Sequence, residues 1–361
     1  MSCSIFNINP IVIPKELNLR RREPRKVTMR NSNYEREFDY QTFAYDVFQS
    51  DHKVIFSGPP IDGYEDILNN GIFFINGHLI SNDRINLEKL DRTCRLWIDF
   101  DVELVEFTLF YKGFRFTAEK KANPFNLKNK KVLLTHSKNT NFKWMKGWLN
   151  FYKLMHKIDT VVIYDNDSDK YSVQDLKNEI NGIDLDIIIV PWKFKPGPLN
   201  SPWDSDFSSY GFLEHAKENF LKNVAGVIHV NVNDFLVSKS GENIFDTLKD
   251  VAYIKFTGEQ VEPIPFKLEL ENIFSNNFYR SKKSLNNPRK WCINPKLASH
   301  VIQWRVNDIA NIKDVNFSNN YYYYTYSSVN DDGQNNFLKF DESLHYFDEN
   351  LFKLMANIFS K

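Results

Sequence analysis

Two short polar segments contain the residues whose types and spacing are best suited to chemistry. One follows the apolar run 224–230 and contains Asn231, Asn233 and Asp234. Residues 231 and 233 lie on the same side of an extended chain, where two oxygen donors could hold a hard cation that bridges a diphosphate. Asp234 is the only carboxylate of this segment, and in an extended chain it points the other way. Taken alone, these residues do not establish a diphosphate site.

The other segment follows the β-branched run 160–164 and contains Asp165, Asn166 and Ser168. Short polar side chains at the carboxyl end of a buried strand can accept hydrogen bonds from a base or a ribose, and this edge of an open α/β sheet is where ligands bind. An ordinary Asx turn after a strand would have the same composition. The residues by themselves leave both interpretations open.

The elements that would position these segments alternate between strand and helix from about residue 131. Such alternation with short loops is typical of βαβ units around a mainly parallel sheet, and apolar runs without alternation are typical of strands buried on both faces. Strands are predicted at 132–134, 160–164, 186–190, 224–230 and 253–256, and helices at 141–157, 172–180, 207–222 and 341–360.

The part of the chain before this region has a different pattern. Residues 51–125 show period-two alternation and hairpin signals such as Asn76 followed by Gly77, which predict a separate antiparallel β module. Residues 1–50 are expected to form an irregular basic arm, either solvated or attracted to an anionic surface. The predicted domains are therefore 1–50, 51–125 and a catalytic domain at 126–361.

The two segments and their surroundings resemble a known family. A helix with Trp144 and Trp148 precedes a strand that ends in Tyr-Asp-Asn-x-Ser at 164–168, and a second helix precedes Asn-Val-Asn-Asp-Phe at 231–235. This order is similar to that of GT-A glycosyltransferases of the family-92 class and their bacterial polysaccharide-synthesis relatives, in which the second motif reads Asp-x-Asp-Glu-Phe. The resemblance covers about residues 131–237, and a weaker similarity continues to about residue 295.

The resemblance implies a GT-A-like, Rossmann-type mainly parallel sheet with flanking helices. It also implies a nucleotide-sugar donor, with a UDP-sugar favoured. By position it assigns Asp165, Asn166 and Ser168 to the nucleotide, and Asn231, Asn233 and Asp234 to the diphosphate.

A divalent metal, Mn²⁺ or Mg²⁺, is also implied, with Asn233 and His300 as its expected ligands. Both motif aspartates are asparagines here, and these ions prefer anionic oxygen ligands. Weak metal binding, metal-independent transfer and loss of activity therefore stay open. Metal-free transfer needs another cation at the leaving diphosphate; a basic stretch supplies Arg280, Lys282, Lys283, Arg289 and Lys290, of which Arg280 and Arg289 are assigned to the donor.

Transfer with inversion needs a base that removes the proton of the acceptor hydroxyl. Glu259 and Glu262 follow the predicted strand 253–256, in what reads as a loop beside the donor pocket. Either is a candidate for the base, with Glu259 favoured by the neighbouring Gly258. An exposed loop without a catalytic role is the alternative.

Composition narrows the classes of protein to which the chain could belong. The 361 residues are 42% hydrophobic and include 46 basic and 46 acidic residues, a balance that argues against nucleic-acid binding. The three scattered cysteines favour a reducing compartment, and neither a signal peptide nor an apolar run of membrane-spanning length is visible. We expect a cytoplasmic protein, with peripheral contact at the inner face of the membrane and oligomer formation both compatible with the sequence.

These observations favour transfer of a sugar to a glycan or lipid-linked acceptor in surface polysaccharide synthesis. A non-catalytic glycan-binding or scaffold relative of the same fold is the first alternative, and the two asparagines support it. A cell-wall phosphotransferase is the second. The N-terminal β module is expected to bind acceptor or to mediate oligomerisation.

Overall fold

The computed structural model describes residues 2–198, 204–267, 274–283, 287–310, 318–326 and 337–359. Within these ranges the helices are α1 (Tyr34–Glu37), α2 (Glu65–Asn70), α3 (Phe142–His156), α4 (Val173–Ile180), α5 (Phe207–Ala216), α6 (Ile244–Thr247) and α7 (Glu349–Phe359). The strands are β1 (Cys3–Ile5), β2 (Ile11–Val12), β3 (Thr42–Ala44), β4 (Asp46–Ser50), β5 (Lys53–Gly58), β6 (Ile72–Ile75), β7 (His78–Ile80), β8 (Asn86–Lys89), β9 (Cys94–Asp99), β10 (Glu106–Tyr111), β11 (Phe114–Glu119), β12 (Lys131–Ser137), β13 (Thr160–Asp165), β14 (Asp186–Pro191), β15 (Gly226–His229), β16 (Asp234–Ser238), β17 (Tyr253–Phe256), β18 (Gly258–Pro265), β19 (Asn277–Ser281), β20 (Lys290–Ile293), β21 (Tyr321–Tyr326) and β22 (His345–Phe347).

The central sheet has the strand order β1-β14-β13-β12-β15-β20-β17. Its first five strands are parallel to one another, whereas β20 and β17 are antiparallel to their neighbours. Val161, Val162 and Ile163 of β13 are all fully buried, as expected for a strand covered by helices on both faces. The predicted α/β class, with a mainly parallel sheet, flanking helices and antiparallel sheets, is confirmed.

The helices between the parallel strands begin where the sequence provides caps. The Asn141 side chain accepts a hydrogen bond from the Lys143 amide at the start of α3. Ser172 and Asp175 form a reciprocal capping box at the start of α4. Helix α5 continues as a π-helical turn, Lys217–Leu221, before β15.

A second, five-stranded sheet has the order β16-β21-β18-β19-β22. Two predictions are corrected here. Glu259 and Glu262, expected in a loop, lie on β18, which pairs with β21 and β19. The closing helix begins at Glu349 instead of 341, because Asp341 folds an Asx turn onto Ser343 and Asp348 caps the helix through the Leu351 amide.

The first fifty residues are not an irregular arm. Strand β1 pairs in parallel with β14 of the central sheet, and β4 forms a hairpin with β5. One hydrophobic cluster extends from Ile11 to Ala118 and so includes both sides of residue 50. The division into domains at 50 and 125 stays a prediction. No helix of the described ranges is both long and apolar enough to cross a membrane.

Two arginines of the predicted basic arm are buried and hold this region together. Arg25 forms an ion pair with Asp204, and both side chains are nearly buried. The Arg21 side chain donates hydrogen bonds to the backbone carbonyls of Pro60, Asp39 and Thr42. These two guanidinium groups therefore support the fold, and they are not available to an anionic surface.

We expect Arg21→Met to lower the free energy of unfolding by about 2 kcal/mol or more, because three carbonyls lose their buried donor. Denaturant unfolding followed by circular dichroism measures this change. Arg22→Met is the matched control, since the Arg22 side chain is 68% exposed in its pair with Glu65 and its loss should change stability by at most about 0.5 kcal/mol. Equal losses of stability in the two variants would show that the buried hydrogen bonds of Arg21 do not stabilise the fold.

Candidate functional site

The order of the parallel strands reverses at β12. Strands β13 and β14 follow on one side of it, whereas β15 lies on the other side. In open α/β sheets, ligands bind outside the carboxyl ends of the strands at such a switch point. The residues after β13 and after β15 flank this position, and we call them the 165–168 turn and the 231–234 turn.

The register sets the distance between the two turns. Asp165 pairs with Ser137 of β12, and His229 of β15 pairs with Leu134 on the other side of β12. The turns are therefore separated by two strand spacings, about 10 Å. A nucleoside diphosphate is long enough to contact both.

The side chains of the 165–168 turn bond mainly within the protein. Ser168 Oγ donates to Asp165 Oδ1 at 2.6 Å, and the Ser168 amide donates to Asp165 Oδ2 at 3.2 Å. Ser168 Oγ also accepts a hydrogen bond from the Asn139 amide at 2.8 Å. Burial raises the pKa of Asp165, and the bonds from Ser168 oppose this rise. These bonds hold the turn in one conformation.

Asn166 also helps to hold the 165–168 turn in one conformation. Its backbone amide donates to the Ser137 carbonyl at 2.8 Å. With its side-chain amide oriented to satisfy its surroundings, Nδ2 donates to the carbonyls of Trp192 and Phe194 at 2.9 and 2.8 Å. Asp165, Asn166 and Ser168 lie together at the carboxyl end of β13, beside the switch point. Their assignment to the nucleotide stays a prediction.

The 231–234 segment is a turn and not an extended chain. The Asp234 amide donates to the Asn231 carbonyl at 3.0 Å, and the Asn231 amide donates to Asp234 Oδ2 at 3.0 Å. Asn233 is fixed to β21, since its Nδ2 donates to the Tyr326 carbonyl at 3.2 Å. The expectation that residues 231 and 233 share one side of an extended chain was therefore wrong, and the turn brings Asn231 and Asp234 together instead.

Lys290 lies at this turn, although the sequence placed it only within the basic stretch and did not assign it to the donor. Its Nζ donates to Asn231 Oδ1 at 3.1 Å and lies 3.6 Å from Asp234 Oδ2. Trp291 pairs with His229, so the antiparallel strand β20 begins beside the carboxyl end of β15. Burial raises the pKa of Asp234, and the Lys290 charge opposes this rise. The strand pairing that brings Lys290 to the turn could not be read from the basic stretch alone.

Two histidines near the switch point are neutral. Burial lowers the pKa of His136, on β12, to about 4. Burial also lowers the pKa of His229 well below its usual value, and the neighbouring Lys290 charge adds to this effect. Both rings pack against Phe212 of α5. Neither imidazole therefore adds positive charge at neutral pH.

Helix α3 holds the backbone that follows the turn. Trp148 Nε1 and the Tyr152 hydroxyl both donate to the Asp234 carbonyl, at 3.1 and 2.9 Å. The Tyr152 hydroxyl also accepts from the Leu236 amide at 3.0 Å, and the His156 ring bonds to the Leu236 carbonyl at 2.8 Å. These side chains recur every four residues, and the sequence pattern indicated only that they belong to a buried helix face.

The side chains of the 231–234 turn do not fit a divalent metal. Asn231 Oδ1 and the Asp234 carboxylate both interact with the Lys290 ammonium group. The described residues contain no cluster of three or more His, Cys, Asp or Glu side chains that could hold a metal ion. Divalent Mn²⁺ and Mg²⁺ require several oxygen ligands. At the 231–234 turn, the oxygen atoms of Asn231 and Asp234 are instead engaged by Lys290.

His300 lies away from Asn233. It is exposed and lines a cleft with Lys217 and Lys222, which follow the C-terminal end of α5 and so lie near the amino ends of the parallel strands. Strand β20 runs in that direction, since Ile293 pairs with Val227. The structure does not bring the two predicted metal ligands together.

The predicted base residues lie on β18 of the second sheet. Glu259 Oε2 is 2.6 Å from Arg280 Nη1, and Asp348 Oδ2 is 3.1 Å from the same atom. Glu259 and Arg280 line a cleft of about 460 Å³ that also includes Asn287, three residues before Lys290. Glu262 is 7% exposed.

Arg280 and Arg289, both predicted to bind the nucleotide-sugar donor, differ in their exposure to solvent. Arg280 is half-buried in its two ion pairs, and Arg289 is exposed next to Lys290. The cleft containing Arg280 adjoins the 231–234 turn through residues 287–290. The structure thus brings the cleft and the turn to neighbouring positions, while the roles of both arginines stay predictions.

No family model matches the chain, and no curated protein matches it. Among solved structures it is similar to a mannosyltransferase from S. cerevisiae, with 12% identity over 40% of this chain and 43% of that chain and a TM-score of 0.26. It is also similar to core-mannan synthase A from Aspergillus fumigatus in a Mn/GDP form (12% identity, 45% of this chain and 58% of that chain, TM-score 0.26). HddC from Yersinia pseudotuberculosis is another such structure (10% identity, 55% and 90%, TM-score 0.28).

The chain matches less than two thirds of the length of the first two of these proteins. Likenesses of this size carry no argument about fold or activity.

The contacts from α3 generate a stability prediction. Tyr152→Phe removes a hydroxyl that bonds to both Asp234 and Leu236, so we expect the free energy of unfolding to fall by about 1–3 kcal/mol. Tyr326→Phe is the matched control, because the Tyr326 hydroxyl is buried without a hydrogen-bond partner among the described residues, and its removal should be neutral or stabilising. Similar losses in the two variants, measured by denaturant unfolding, would show that the Tyr152 bonds are unimportant.

Proposed function

We propose that this protein is a glycosyltransferase that binds a nucleotide-sugar donor at the carboxyl ends of β12, β13 and β15. One observation carries the proposal: two polar turns flank the switch point of a mainly parallel sheet, where such sheets bind ligands. The 165–168 turn would bind the nucleoside and the 231–234 turn the diphosphate. The resemblance of both motifs to family-92 glycosyltransferases supports the same assignment and favours a UDP-sugar.

The cleft beside the 231–234 turn would receive the acceptor, a glycan or a lipid-linked glycan. In the transfer, an acceptor hydroxyl oxygen forms a bond to the anomeric carbon while the bond from that carbon to the diphosphate oxygen breaks. With inversion, the hydroxyl proton passes to a carboxylate. Glu259 is the better placed candidate because it lines the cleft, whereas Glu262 is nearly buried.

A non-catalytic relative with the same fold is the second candidate. It is favoured by the internal hydrogen bonds of Asp165, Asn166 and Asn233, which commit these side chains to the protein. Such a protein would bind a glycan without consuming a donor.

Turnover of a panel of UDP-, GDP- and CMP-sugars tests the proposal. We expect hydrolysis or transfer of one donor, with a sugar and not a phosphosugar added to the product. A phosphosugar product would identify a phosphotransferase. If no donor is bound or consumed, the glycosyltransferase proposal is wrong and the non-catalytic alternative is favoured.

A pair of matched variants tests the base. Glu259→Gln should lower kcat for sugar transfer by about 10²–10⁴-fold without changing the affinity for donor, because only proton removal is lost. Glu262→Gln should leave kcat within about threefold, since its carboxylate lies outside the cleft. The reverse result would assign the base to Glu262, and two active variants would exclude both residues.

A further inference from the structure

The 231–234 turn combines one negative charge with one positive charge. Asp234 is the only carboxylate of the turn, and the Lys290 ammonium group lies at ion-pair distance from it. The two side chains are 2% and 4% exposed, so water and salt screen their interaction poorly. An Asp-x-Asp motif would instead have an excess of negative charge for a divalent cation to balance.

A divalent cation and this ammonium group would compete for the same oxygen atoms. Lys290 donates to Asn231 Oδ1 and neutralises Asp234, while the Asn233 amide is bound to β21. A metal ion placed near Asp234 would lie within a few ångströms of a like charge in surroundings of low dielectric constant, where repulsion is strong. The charges at this turn therefore do not fit the metal that the resemblance implies.

We propose that the Lys290 ammonium group takes the place of the divalent cation, so that a nucleoside diphosphate binds at the 231–234 turn without metal. This inference rests on the proposed function, because it takes the diphosphate of a nucleotide sugar as the ligand. Asn231 is exposed and Lys290 is buried behind it, so the diphosphate contacts Asn231 first. Lys290 acts through Asn231 and Asp234 and is thus a positioning residue.

The contact between Lys290 and Asn231 has two consequences for an anion. The positive charge cancels that of Asp234, so a phosphate group meets no net repulsion at the turn. Because Oδ1 of Asn231 accepts from the ammonium group, the NH₂ end of the same amide is the end that can donate to a phosphate oxygen. The turn therefore offers an oriented amide donor without a net negative charge, which suits a diphosphate.

Calorimetric titration with UDP, GDP and CDP, in EDTA and then in Mn²⁺, tests the inference. We expect one diphosphate to bind with a Kd that agrees within about twofold between the two conditions, because no metal takes part. Binding that is lost in EDTA would overturn the inference. Mn²⁺ titration of the protein alone, followed by electron paramagnetic resonance, should show no site at the turn.

Substitution of Lys290 distinguishes its electrostatic role from a structural one. Lys290→Met leaves Asp234 as an unpaired carboxylate, so the affinity for diphosphate in EDTA should fall about tenfold or more, and Mn²⁺ should restore part of it. The double substitution Lys290→Met with Asp234→Asn removes both charges and should show no response to Mn²⁺. Lys290→Arg keeps the charge and should remain insensitive to EDTA, which keeps the test valid if Lys290→Met fails to fold.

Lys255→Met is the matched control, because Lys255 is another buried lysine on the neighbouring strand β17 and pairs with Asp308. Its diphosphate affinity should stay within about twofold of the unsubstituted protein. Unchanged affinity in Lys290→Met, or an equal loss in Lys255→Met, would overturn the inference. If no diphosphate binds in either condition, the proposed function fails, and tight Mn²⁺ binding by the protein alone would separately contradict the role of Lys290.

Discussion

A carboxylate that is almost wholly buried must be paired, and Asp234, which carries such a carboxylate, joins four elements of the molecule through its side chain and its backbone. Its side chain bonds to the Asn231 amide after β15 and pairs with Lys290 of β20. Its backbone carbonyl accepts hydrogen bonds from Trp148 and Tyr152 of α3. Its own strand, β16, is an edge strand of the second sheet and pairs with β21. Leaving this charge unpaired would cost several kcal/mol, so the turn and its lysine depend on each other.

The same pairing gives the switch point its electrostatic character. Neutral His136 and His229 add no charge there. Of the two carboxylates of the 165–168 turn, Asp165 is bonded to Ser168 and the exposed Asp167 pairs with Lys193. A diphosphate at the 231–234 turn would meet Asn231, which is bonded to Lys290, and no net charge from the Lys290–Asp234 pair. A fixed charge needs no metal from solution, and it stays in place when the ligand leaves.

The sequence was sufficient to predict the elements that have strong local signals. The βαβ region and the hairpin at residues 76 and 77 follow from periodicity and turn chemistry. The contacts of Lys290 depend on β20 pairing with β15, which brings together Lys290 and Asn231, 59 positions apart in the chain, and no local pattern encodes such a pairing. Arg21 was misjudged for a related reason: a run of charges predicts exposure, and its carbonyl partners come from distant turns.

The central claim is that a donor diphosphate binds at the 231–234 turn without a divalent metal. A crystal structure of the protein with its nucleoside diphosphate, grown in Mn²⁺ and measured at the manganese absorption edge, tests this most directly. The account predicts density for the diphosphate against Asn231, with Lys290 behind it and no anomalous peak between protein and phosphates. A manganese peak bridging the phosphates and Asp234, or a nucleotide bound away from this turn, would contradict it.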